Sequence, residues 1–60
     1  MKKELQKKGY DELVKLVLEQ DTKIEQLRGY ASGLNEKMIR TLDKDMLIDC
    51  YIKNQKKFNL

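Results

Sequence analysis

A heptad laid over Tyr10 to Thr41 keeps one register for its whole length. The a positions are Tyr10, Val17, Ile24, Ala31 and Met38, and the d positions are Leu13, Gln20, Leu27, Leu34 and Thr41. Eight of these ten are apolar or aromatic; Gln20 and Thr41 are the exceptions. Apolar side chains at that spacing form one stripe on a helix, and a stripe of that kind is what one helix offers to another. The chain is therefore read as all-α, with a long heptad-patterned helix followed by a short second helix, as a helical hairpin or a coiled-coil-like pair. It forms one small domain over residues 1–60: a basic lead-in at 1–9, helix 1 at 10–41, helix 2 at 43–57 and a tail at 58–60.

Sixty residues bury only about 60% of the surface that their unfolded chain exposes. Small scaffolds make up the shortfall with disulfides, a metal, a partner or very good helix packing. The single cysteine allows no internal disulfide, and the absence of histidine removes the common zinc ligand sets. No metal or cofactor is expected. A partner chain, either a second copy or a larger protein, becomes the expected source of added stability.

Charged residues are 38% of the chain, with a formal net charge of +3. This excess is compatible with nucleic acid and does not require it. Arg28 and Arg40 are the only arginines against eleven lysines, which disfavours base-specific reading of guanine edges. The early lysines are not followed by an uninterrupted apolar core, so no signal peptide is read. No run approaches the roughly 20 apolar residues of a membrane span. A free cysteine points to a reducing compartment, and the expected location is cytoplasmic.

The lead-in, Met1 to Lys8, sets four lysines against Glu4 and has Leu5 as its one internal large apolar residue. It reads as a frayed helical turn or a solvated arm. Gly9 interrupts it, Asp11 is a reasonable N-cap, and Asp11 with Glu12 suits the positive end of a helix. Leu13, Val14, Leu16, Val17 and Leu18 make a dense apolar cluster that is wider than a two-stranded seam needs. Gln20 at a d position either sets register at some cost in stability or marks where the partner helix diverges. Gly29 and Gly33 each cost a helix about 1 kcal/mol relative to alanine, yet the seam stays in phase through Ala31, Leu34 and Met38. Two structures compete here. One is a continuous helix of roughly 48 Å at 1.5 Å per residue. The other is a turn at Gly29 to Gly33, with Ser32 or Asn35 capping a new helix. Preserved phase favours the first.

Asp43 reads as the N-cap of helix 2, with Asp45 in its first turn. Leu47, Ile48, Tyr51 and Phe58 share one side, with Met46 and Cys50 on the flank. Lys53, Lys56 and Lys57 sit where the C-terminal end of the helix dipole favours positive charge. Cys50, with no histidine to activate it, reads as a small buried or half-buried residue and not a nucleophile.

Leu42 to Lys53, ending in Phe58-Asn59-Leu60, resembles the first helix of the Sda family of small helical-hairpin inhibitors of sporulation histidine kinases in Gram-positive bacteria. The matching features are the cap at Asp43, then Leu47-Ile48 and Tyr51, then Asn59-Leu60 at the turn. They cover about a third of the chain. In that family a second helix follows the turn and no long helix precedes it. The resemblance implies a small helical regulator of a Gram-positive or phage kind.

No glycine-rich loop or catalytic constellation is present, and so short a helical chain has little room for a pocket of about 300 Å³ or more. Three functions from different classes are consistent with the pattern. The favoured one is a non-catalytic regulator or adaptor that docks an apolar helix face on a larger protein. The alternatives are a DNA-associating accessory protein and a structural coiled-coil oligomer. The candidate partner-binding residues are Leu13, Val17, Ile24, Leu27, Leu34, Leu47 and Tyr51. Candidate contacts to phosphate or an acidic surface are Lys2, Lys3, Lys7, Lys8, Lys53, Lys56 and Lys57. No membrane contact is expected.

Overall fold

The computed structural model describes residues 2–31 and 33–60. Four helices follow in order: α1 (Lys2–Gln6), α2 (Tyr10–Arg28), α3 (Glu36–Ile39) and α4 (Lys44–Lys57). The described residues contain no strand, so the all-α reading holds, with one long helix and a later one of 14 residues.

The first long helix is shorter than its heptad predicts. It ends at Arg28 and not at Thr41. Gly29 takes the left-handed conformation, φ 81°, and its N–H donates to the Glu25 carbonyl at 2.8 Å. Gly33 also has positive φ, 80°. Both glycines thus use the freedom that separates them from other residues, and a continuous helix would have wasted it. Residues 33–35 carry no regular structure, and the Asn35 side-chain oxygen accepts from Met38 N at 3.0 Å and caps α3. Ser32, the other cap considered, lies outside the described residues. The break shifts the phase. Met38, an a position of the heptad, faces solvent, while its neighbour Ile39 is fully buried.

Two more boundaries differ from expectation. The N-cap of α2 is Gly9, with no side-chain cap, and Asp11 lies inside the first turn. The basic lead-in is helical from Lys2 and buries Leu5 in the main core. Lys44 Nζ donates to the Gln6 carbonyl at 2.8 Å, tying the end of α1 to the start of α4. Asp43 is the cap it was read to be, with Oδ1 accepting from Met46 N at 2.9 Å.

The two long helices run parallel, not antiparallel as a hairpin would. The Tyr10 hydroxyl, at the start of α2, donates to the Leu42 carbonyl just before α4 and lies 3.2 Å from the Arg40 carbonyl. Midway, Gln20 meets Tyr51 and Gln55 of α4. At the far end Arg28 lies over Phe58. The segment after Gly29 therefore travels back along α2 before α4 begins. An ion pair of Arg40 with Asp11 at 3.0 Å fastens it at the N-terminal end.

Leu5, Leu13, Val14, Val17, Ile39, Leu47 and Ile48 form the core, so every helix contributes. Tyr10, Leu16, Leu18, Leu34, Leu42, Tyr51 and Ile52 pack around it. Each fully buried aliphatic side chain stabilises the fold by roughly 1.5–3 kcal/mol before chain entropy is counted.

Candidate interaction surfaces

The heptad seam is closed within the chain. Leu13, Val17, Ile24 and Leu47 are buried, at 1%, 2%, 4% and 0% exposure. Leu34 and Tyr51 are half-buried against the core. Of the seven candidate partner-binding residues, only Leu27 is exposed, at 64%. Leu13, Val17, Ile24 and Leu47 are enclosed by their own chain in this fold, and Leu34 and Tyr51 are partly covered by it. Leu27 is exposed because a straight helix drifts about 20° per heptad against a 3.5-residue repeat. The buried face of α2 accordingly drifts from Leu13, Val17 and Gln20 to Asp21 and Ile24. One turn further it presents Arg28 to Phe58, leaving Leu27 outside.

The candidate lysines divide into two groups. Lys2, Lys3, Lys7 and Lys8 lie on or just after α1, beside the start of α4. Of these, Lys8 reaches Glu12 at 4.0 Å. Lys53, Lys56 and Lys57 lie toward the other end of α4, whose length from Lys44 to Lys57 is about 20 Å at 1.5 Å per residue. The chain has two separate basic ends and not one stripe.

Two surfaces emerge that the heptad did not single out. The first is an open groove of about 420 Å³ along the outer side of α4, lined by Leu42, Met46, Asp49, Cys50, Lys53 and Asn54. These positions recur at helical spacing opposite Leu47 and Ile48. Met46 is 54% exposed, Cys50 is half-buried, and Asn54 Nδ2 lies 3.6 Å from the Cys50 sulfur. The signal was in the sequence, because Met46 and Cys50 lie on the flank of the inward face. It was obscured because a flank reads the same whether it is covered or open.

The second surface gathers Arg28, Tyr30, Lys57 and Phe58 where α2 and α4 end side by side. The Arg28 guanidinium is 5.0 Å from the Phe58 ring centroid and 5.9 Å from that of Tyr30; Lys57 Nζ is 5.5 Å from Phe58. Left-handed residues shape both chain exits: Gly29, and Asn59 at φ 53°. Leu60 N donates to the Gln55 carbonyl at 3.1 Å, closing a Schellman turn around Asn59. No periodicity argument could pair residues 28–30 with 57–58, because only the parallel packing brings them together.

The Arg40 cluster lies at the opposite end. Its guanidinium contacts Glu36 at 2.9 and 3.0 Å and Asp11 at 3.0 Å. These hydrogen bonds, Glu36 first and Asp11 second, raise the arginine above its usual pKa. The arrangement fastens the returning segment.

Among the described residues no group of three His, Cys, Asp or Glu side chains is placed to hold a metal ion. No described helix is long and apolar enough to cross a membrane. The chain matches no protein-family model, and no curated protein or solved structure is significantly similar to it.

Proposed function

We propose that this chain is a small non-catalytic regulatory or adaptor protein that receives an amphipathic helix of a larger protein in the groove along α4. The supporting observation is the open strip of Met46 and Cys50, continued by half-buried Leu42 at the edge of the core, with Asp49, Lys53 and Asn54 beside it. Met46 is unbranched and polarizable, a side chain suited to accommodating a partner surface. Asp49 and Lys53 provide charges of both signs that would set the orientation of an incoming helix. The coiled-coil oligomer is less favoured, because its seam residues Leu13, Val17 and Ile24 are enclosed. The resemblance of Leu42 to Lys53 to Sda-type inhibitors makes a bacterial sensor histidine kinase the first partner to test.

Binding of purified sensor kinases to the full chain by calorimetry, with Met46→Glu and Cys50→Glu compared to wild type, tests this reading. A kinase bound by wild type, at least tenfold weaker with Met46→Glu and unchanged with Lys2→Gln/Lys3→Gln, supports it. If affinity capture and purified kinases yield only partners indifferent to both groove substitutions, the reading fails.

A further inference from the structure

We infer that the end of the molecule where α2 and α4 terminate together is a binding site for single-stranded nucleic acid, with Tyr30 as the stacking platform and Arg28 and Lys57 as the phosphate contacts. This inference is independent of the groove on α4.

Charge is the first argument. The last turn of α2 and residues 54–60, joined by Arg28 over Phe58, carry Arg28, Lys56 and Lys57 against one acidic side chain, Glu25. Two helix C-termini oppose this with a partial charge of about −0.5 each. Three cations outweigh Glu25 and these partial charges together, and the end stays positive. Parallel packing is the cause. In an antiparallel hairpin Arg28 would adjoin the start of α4, where Asp43 and Asp45 would neutralise it. Here it lies beside the lysines instead. Arg28 and Lys57 even share one ring, at 5.0 and 5.5 Å from the Phe58 centroid.

The second argument is the aromatic surface. Tyr30 is 63% exposed and is held by the left-handed turn at Gly29 with the Arg28 guanidinium 5.9 Å from its ring. An exposed ring beside cations is how proteins grip single strands without reading sequence, since every base has a face to stack. A duplex keeps its bases stacked internally and offers only phosphate. The second basic group, Lys2, Lys3, Lys7 and Lys8, lies toward the other end of α4 and includes no exposed aromatic ring. An acidic peptide would use the cations and leave the ring idle.

The test is fluorescence anisotropy of the full chain with labelled oligothymidylate of about 15 nucleotides, near the upper site size of a single-strand-binding fold, at about 50 mM salt. The same-length duplex and polyglutamate are the competing ligands. The expected result is tightest binding to the oligothymidylate. Tyr30→Ala should weaken it by about 5- to 150-fold and Tyr30→Phe by less than about twofold. Arg28→Gln should reduce the salt slope by about 0.7, and the loss caused by Tyr30→Ala should be the same in a Lys2→Gln/Lys3→Gln background. Circular dichroism confirms that the variants are folded. No binding, a Tyr30→Ala variant that binds like wild type, or equal affinity for duplex or polyglutamate overturns the inference.

Discussion

The Gln20 side-chain amide donates to the Tyr51 carbonyl at 2.9 Å across the contact between α2 and α4, and its own oxygen is buried with no hydrogen-bond partner. Gln55 Oε1 also lies within 3.3 Å of the same nitrogen. One polar side chain thus links the two long helices in parallel register and leaves an acceptor unsatisfied. An orphaned buried acceptor costs about 1–3 kcal/mol, against roughly 0.5–1.5 kcal/mol gained from a hydrogen bond.

Gln20→Met should therefore be neutral or stabilising, by up to about 1 kcal/mol. In a chain of this size that raises the melting temperature by about 4–8 °C per kcal/mol. Gln20→Glu should destabilise by about 2 kcal/mol or more, because a carboxylate would face the Tyr51 carbonyl without a donor. Thermal melts followed by circular dichroism compare the two. A Gln20→Met protein clearly less stable than wild type would show that the bond to Tyr51 outweighs the orphaned oxygen.

Gly29→Ala should cost about 1–2 kcal/mol, purely through backbone conformation, since nothing lies within 4 Å of an added Cβ. Gly33→Ala should behave alike for the same reason. Urea titration gives the value. A neutral Gly29→Ala would mean that α2 can run on past Arg28.

Leu47→Ala should cost about 2–5 kcal/mol, while Leu27→Ala should stay within about 0.5 kcal/mol. Both are candidate partner-binding residues by sequence, Leu27 from the heptad and Leu47 from the second helix, whereas the fold buries Leu47 fully and leaves Leu27 64% exposed. Ile24→Asp should unfold the monomer instead of merely separating oligomers. A soluble, fully helical Ile24→Asp chain would contradict the intramolecular packing of α2.

Arg40→Gln should lower the melting temperature slightly, and by less as salt rises, because its ion pairs are solvent-exposed. The folded-state pKa of Arg40 is raised. Its contribution is therefore complete below the ordinary arginine pKa and is lost only as pH climbs through the higher folded value. Between about pH 6 and 9 this arginine should add no slope to stability. Melts of wild type and Arg40→Gln across that range should run parallel, and divergence would assign the guanidinium a different partner.

Helicity throughout, the cap at Asp43 and the inward turn of Leu47 and Ile48 were legible in the residues themselves. Each depends on a local rule: side-chain period, an oxygen reaching a free N–H, or apolar positions three and four apart. The direction of α4, the end of α2 and the fate of the seam depended on tertiary structure. At Gly29 the competing backbone conformations differ by about 1 kcal/mol, too little for local preference to decide. Ending the helix there lets Leu34 pack on the core and Ile39 bury completely. Burial is worth roughly 1.5–3 kcal/mol for a fully enclosed aliphatic side chain, enough to override preserved heptad phase. The same return path makes α2 and α4 parallel and spends the apolar stripe on the chain's own core. It places Arg28 beside Phe58, an encounter that no spacing in the sequence encodes, because its cause is burial of Leu34 and Ile39 at a distance.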